Sequence, residues 1–136
     1  MYINFDLDEK QVQFVTGYLT AVLFANLPEE LEGETDNIDF AAKQDIDDLM
    51  LYFAHDALQR AFADCLSFFY RVHFYIDSGL MERAGADFHF TREGHGVGFW
   101  DEGRWPTYFN ILDKTAVSYG AFEWTAEYFS AWEEEE

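Results

Sequence analysis

Polar and apolar positions follow a helical period in the first half of the chain and a period of two in much of the second. Val12, Val15, Leu19, Val22 and Leu23 recur at helical spacing, with Gln13, Thr16 and Thr20 off that face, which predicts an amphipathic helix. Asp8, followed three residues later by Gln11, is a capping-box pair, so the helix is expected to start there. Asn26-Leu27-Pro28 should stop it. Gly17 inside it costs about 1 kcal/mol relative to alanine. From Ile46 to Ile76 there is no Gly or Pro, and Leu58, Ala61, Phe62, Cys65, Leu66, Phe69, Val72 and Ile76 mark a core stripe. One helix over that stretch would be about 45 Å long at a rise of 1.5 Å per residue, so a break is expected near Ala54 or His55. Ser78-Gly79 should end the element, with Gly79 suited to a left-handed C-terminal turn. Phe68, Tyr70, Phe74 and Tyr75 fall outside the stripe, a surplus of apolar surface for a second layer, a partner or another copy of the chain to cover.

Beyond Gly79 the pattern changes. Asp87-Phe88-His89-Phe90-Thr91 and Val97-Gly98-Phe99-Trp100-Asp101 alternate, and Arg92-Glu93-Gly94-His95-Gly96 between them has the composition of a hairpin connection. Pro106 precedes a helix through Tyr108, Phe109, Leu112, Ala116 and Tyr119, with Gly120 as its stop. Phe122, Trp124, Ala126 and Tyr128 then alternate with Glu123, Thr125 and Glu127, the period of a half-buried strand. Hairpin, helix and strand together predict an α+β fold, helices packed on one face of a small, mostly antiparallel three-stranded sheet. Its 136 residues suit one domain, expected over residues 1–132, with Glu133–Glu136 as an acidic tail.

Charge changes this picture most. The chain carries 27 acids, 8 bases and a formal net charge of −19, yet 20% of its residues are aromatic. Disordered acidic segments lack aromatics, so the negative field is expected on a folded body. That field repels nucleic acid, anionic membrane and phosphorylated substrates and attracts proteins with basic grooves. Duplex DNA carries about one charge per 1.7 Å, so 19 charges match roughly 32 Å of duplex, about one helical turn. The densest acids before the tail are Glu29, Glu30, Glu32, Glu34, Asp36, Asp39, Asp45, Asp47 and Asp48. The segment from Glu29 to Asp36 reads as a solvated loop, whereas Asp45 and Asp48 lie one helical turn apart and share a face. The four tryptophans lack the cationic stripe of a single-strand binder.

The single Cys65 forms no intrachain disulfide, and a reducing cytoplasm is expected. The N-terminus lacks the pattern of a signal peptide, and no apolar run reaches spanning length. Gly94-His95-Gly96-Val97-Gly98 leads into an expected strand without the lysine or helix N-terminus of a phosphate loop. His89, Glu93, His95 and Asp101 are candidates for convergence across the hairpin as metal ligands or an acid/base set. No nucleophile accompanies them, and neither a cofactor nor a metal is expected. His55 and His73 lack the spacing of a zinc helix.

The stretch Ala86-Asp87-Phe88-His89-Phe90-Thr91-Arg92-Glu93-Gly94-His95-Gly96-Val97-Gly98-Phe99-Trp100-Asp101 resembles a segment of small phage and prophage proteins of unassigned function, which reads roughly D-F-W-L-T-R-N-G-H-G-A-G-F-W-D. Upstream, Phe62-Ala63-Asp64-Cys65 is similar to the I-A-D-C of their preceding helix, and Tyr18 to Phe24 to their opening apolar run. The chain departs from the pattern at His89 for Trp, Phe90 for Leu, Glu93 for Asn and Val97 for Ala. The resemblance implies a phage origin, with no catalytic role to carry over. The expected function is that of a non-enzymatic inhibitor acting in the cytoplasm of a bacterial host, its carboxylates from Glu29 to Asp48 standing where phosphates would lie in the groove of a basic DNA-binding protein. His89, Glu93, His95, Trp100 and Asp101 form a secondary candidate surface. The alternative is a homo-oligomeric structural or adaptor protein, in its simplest form a dimer through the aromatic surplus, whose acidity serves solubility.

Overall fold

In a computed structural model, residues 7–26, 45–94, 96–122, 124–125 and 128–129 are described. They form five α-helices, α1 (Glu9–Asn26), α2 (Ile46–Met50), α3 (His55–Val72), α4 (Met81–Glu93) and α5 (Phe109–Val117), with 3-10 turns at His73–Tyr75 and Ser78–Leu80. Among the described residues, the three-stranded sheet expected from the second half does not form. Among the described residues the only β pairing is an isolated antiparallel bridge between Phe53 and Phe129. The fold of the described residues is helical, not α+β.

α1 starts as its capping box dictates. Gln11 N donates to Asp8 Oδ1 at 2.8 Å, and Asp8 N donates back to Gln11 Oε1 at 3.0 Å. The helix ends at Asn26, whose side-chain amide donates to the carbonyl of Val22. Phe14, Val15, Tyr18, Leu19, Val22 and Leu23 are all buried, so α1 is enclosed on more than one side rather than resting on the core by a single stripe. The expected break falls between α2 and α3, where Ala54 is extended and serves as the N-cap of α3. Ala54 N donates to the carbonyl of Tyr128, which ties the C-terminal segment to this junction. The stripe of α3 faces inward, and Phe68 joins it, stacked on Phe88 of α4 with centroids 4.3 Å apart. Gly79 lies within a 3-10 turn and does not supply the expected left-handed residue; Gly94 and Gly120 do, at φ 78° and 74°.

The tightest packing is between α1 and α4. A Cβ at Gly17 would overlap the backbone of Glu82, and one at Gly85 would overlap the backbone of Phe14. The two helices therefore touch main chain to main chain, and the helix propensity given up at Gly17 is the condition for that approach.

The segment expected as a hairpin divides differently. Residues 87–93 are the C-terminal half of α4, Gly94 closes the helix in the left-handed conformation with its N–H on the carbonyls of Phe90 and Thr91, and 96–101 are turns. The alternation that suggested a strand fails because Asp87, His89 and Thr91 are buried beside Phe88. Polarity here does not report exposure. The expected strand at 122–128 is likewise not a strand where it is described. Phe122, Trp124, Tyr128 and Phe129 form a ring cluster, with Trp124 packing on Phe53 at 5.4 Å.

Candidate functional site

α4 turns charged side chains inward, and each fixes another part of the chain. Asp87 is fully buried. Its two oxygens accept from Arg104 Nε and Nη2 at 2.9 and 2.8 Å, and Oδ2 also accepts from Trp105 Nε1 at 2.6 Å. Such two-point pairing holds a guanidinium in one plane. Thr91 Oγ1 accepts from Phe99 N at 2.9 Å, and Glu93 Oε2 accepts from Phe122 N at 2.8 Å. Arg92 crosses to α3, where Nη1 meets Asp64 Oδ2 at 2.9 Å. The same guanidinium donates to Tyr18 Oη and to the carbonyl of Gly120, and lies over the Phe88 ring at 5.2 Å. Burial lowers the pKa of Arg92, but Tyr18 and Asp64 outweigh it, and the guanidinium stays charged. Burial raises the phenol of Tyr18 and the thiol of Cys65 well above their ordinary values. Cys65 is therefore a protonated core group and not a thiolate nucleophile.

Among the described residues, those of the secondary candidate surface are not brought together on one face. His89 is buried edge-on against Tyr18, Glu93 is engaged by Phe122, and Asp101 accepts from Gly103 N at 2.9 Å. Trp100 is exposed, and His95 lies outside the described residues. No group of three or more His, Cys, Asp or Glu among the described residues is placed to hold a metal ion.

Of the acids expected to meet a partner, Glu29, Glu30, Glu32, Glu34, Asp36 and Asp39 lie outside the described residues. Asp45, Asp47 and Asp48 are exposed at the start of α2. Asp45 is the N-cap, its Oδ1 accepting from Asp48 N at 2.9 Å, while Asp47 and Asp48 occupy the first turn. All three carboxylates are thus steadied by the positive end of a helix and remain available to solvent. The bases are distributed otherwise. Arg60 and Arg92 both pair with Asp64, and Arg104 pairs with Asp87. Arg92 is buried in its pair and Arg104 partly so, while Arg60 stays half-exposed; the pairs leave the net charge at −19.

Sequence reasoning missed a cleft of about 240 Å³ between the end of α3 and the start of α5, lined by Tyr75, Asp77, Leu80 and the run from Arg104 to Tyr108. Tyr108, the N-cap of α5, has φ 62°, the one positive φ outside glycine among the described residues. Its ring meets Tyr75 at 4.9 Å, and Tyr75 meets Phe74 at 4.7 Å. Phe74 is 66% exposed and Tyr108 52%. The surplus of aromatics around residues 68–75 was the available signal; that Tyr108 joins them depends on the fold.

The chain matches no protein-family model, no curated protein and no solved structure. No helix among the described residues is long and apolar enough to cross a membrane.

Proposed function

We propose that this protein is an acidic inhibitor of the phage-encoded kind, binding a basic bacterial protein in the groove where that protein takes nucleic acid. The observation that carries the reading is the net charge of −19, 27 acids against 8 bases, with two of those bases, Arg92 and Arg104, already held by Asp64 and Asp87. A surface so depleted of available cations supports long-range attraction to a basic groove and opposes direct contact with phosphate. The resemblance around Asp87–Asp101 supports the phage origin, and the buried polar residues of that segment hold other parts of the chain in place.

The test is capture from a bacterial lysate on the immobilised protein at low and high salt. A DNA-binding protein retained at low salt and released at high salt is the expected result. The triple variant Asp45→Asn, Asp47→Asn, Asp48→Asn keeps an effective helix cap while removing three charges, and should weaken binding to that protein by about tenfold or more. Unchanged affinity would remove these acids from the interface. A second reading, assembly into a homo-oligomer, is favoured by the exposure of Tyr70, 78%, beside that of Phe74. Light scattering decides it: an oligomer that persists at high salt and needs no host protein supports assembly, and a monomer excludes it.

A further inference from the structure

We propose that the cleft between the end of α3 and the start of α5 is an anchor site for an arginine side chain of the basic partner, taken up by the rings of Tyr75 and Tyr108 and the carboxylate of Asp77. The proposal rests on the reading of the protein as a binder of basic proteins and names the local contact that such binding uses. Three observations point to a cation. The walls include two tyrosine rings in contact, tilted at 47°, and the face of such a ring attracts a guanidinium. Asp77 lies at the rim, exposed, and no hydrogen bond or ion pair among the described residues holds its carboxylate. The cleft also lies in the field of a chain with a net charge of −19.

Arg104 also lines the cleft, which would oppose a cation if its charge were free. Its Nε and Nη2 are bound to the two oxygens of Asp87. This pair offsets the local charge and leaves Asp77 as the net charge at the rim. The same pair, with the Trp105 indole on Asp87, fixes the floor of the cleft. Tyr108 adds a further element of order. Tyr108 is held at φ 62°, and its ring already packs on Tyr75 at 4.9 Å. An aromatic residue already ordered loses less entropy on binding, as is common for the anchoring positions of interfaces. Phe74, exposed beside Tyr75, gives the aliphatic part of an arginine side chain an apolar surface to lie on.

The experiment is an NMR titration of the full chain with the peptide Gly-Arg-Gly, its termini blocked, alongside counterparts carrying norleucine or glutamate in the central position. Saturable shifts centred on Tyr75, Asp77, Trp105 and Tyr108 with the arginine peptide, and not with the other two, are the expected result. Asp77→Asn and Tyr108→Gly should each weaken binding by roughly threefold to fivefold or more. Glycine accepts φ 62° without strain, so Tyr108→Gly should keep the fold and its thermal midpoint while losing the ring. Equal shifts with the norleucine or glutamate peptide, shifts that do not saturate, or full affinity in Tyr108→Gly would overturn the proposal. The peptides require no host protein, so failure here together with salt-sensitive capture from lysate would remove the cleft alone. Arginine binding in the cleft without any captured host protein would remove the broader reading alone.

Discussion

Arg92 and Asp87 show what single residues do in this molecule. Each is an ionised side chain taken out of water, tolerable only because its partners are already in place. Arg92→Met would leave Asp64 with the half-exposed Arg60 as its remaining cation and strip Tyr18, Gly120 and the Phe88 ring of their shared partner. A loss of about 3–5 kcal/mol in denaturant unfolding is expected. Asp87→Ala, which frees Arg104 and the Trp105 indole together, should fall in the same range, and a loss below about 1 kcal/mol in either would contradict these pairings. Two buried neutral groups add a pH dependence. Burial raises both Cys65 and Tyr18, so in alkaline solution the unfolded chain loses their protons first and binds fewer than the folded one. Stability is therefore fully present below the unfolded values, about 8.5 for a thiol and about 10 for a phenol. Above each of these it falls by about 1.4 kcal/mol per pH unit per group. Cys65→Ala should remove the first part of that fall, as followed by urea unfolding between pH 8 and 10.

At the scale of elements, the contact of α1 with α4 decides the core. Alanine at an ordinary helix-interior glycine stabilises by about 1 kcal/mol, whereas Gly17→Ala or Gly85→Ala here must push two backbones apart. Each substitution should destabilise by about 1–3 kcal/mol, and a rise in thermal midpoint for either would show that the helices do not meet this closely. The same pair of helices shows which elements were legible in the sequence. α1 could be placed by the Asp8–Gln11 box that opens it, and α3 by a stripe that obeys one rule, apolar inward and polar outward, after the break at Ala54. α4 breaks that rule. Asp87, His89, Thr91 and Arg92 are inside, so alternation of polarity imitated a strand while burial kept the helical period. Phe122 to Tyr128 misled in a similar way, because those rings pack on one another and on Phe53 rather than on the face of a sheet. Asp45 and Asp48 were correctly placed one turn apart, but the fold adds that Asp45 caps the helix that presents them. The cleft at Tyr75 and Tyr108 was not legible, since its two walls are more than thirty positions apart in the chain.

The whole molecule carries 27 acids against 8 bases, and that surplus sets its field. Attraction of this kind is screened over about 8 Å at physiological ionic strength, so binding to a basic protein should be steeply salt-dependent, whereas association through the exposed aromatics alone should not be. A protein that sits in the groove of a nucleic-acid-binding partner must compete with nucleic acid for it, and a displacement experiment reads that competition. A partner captured from a bacterial lysate would be saturated with this protein and titrated with a short DNA duplex at constant ionic strength, with the complexes followed by native mass spectrometry. Duplex is expected to displace the protein, with no complex containing both. A stable ternary complex, or a partner that ignores duplex altogether, would contradict it.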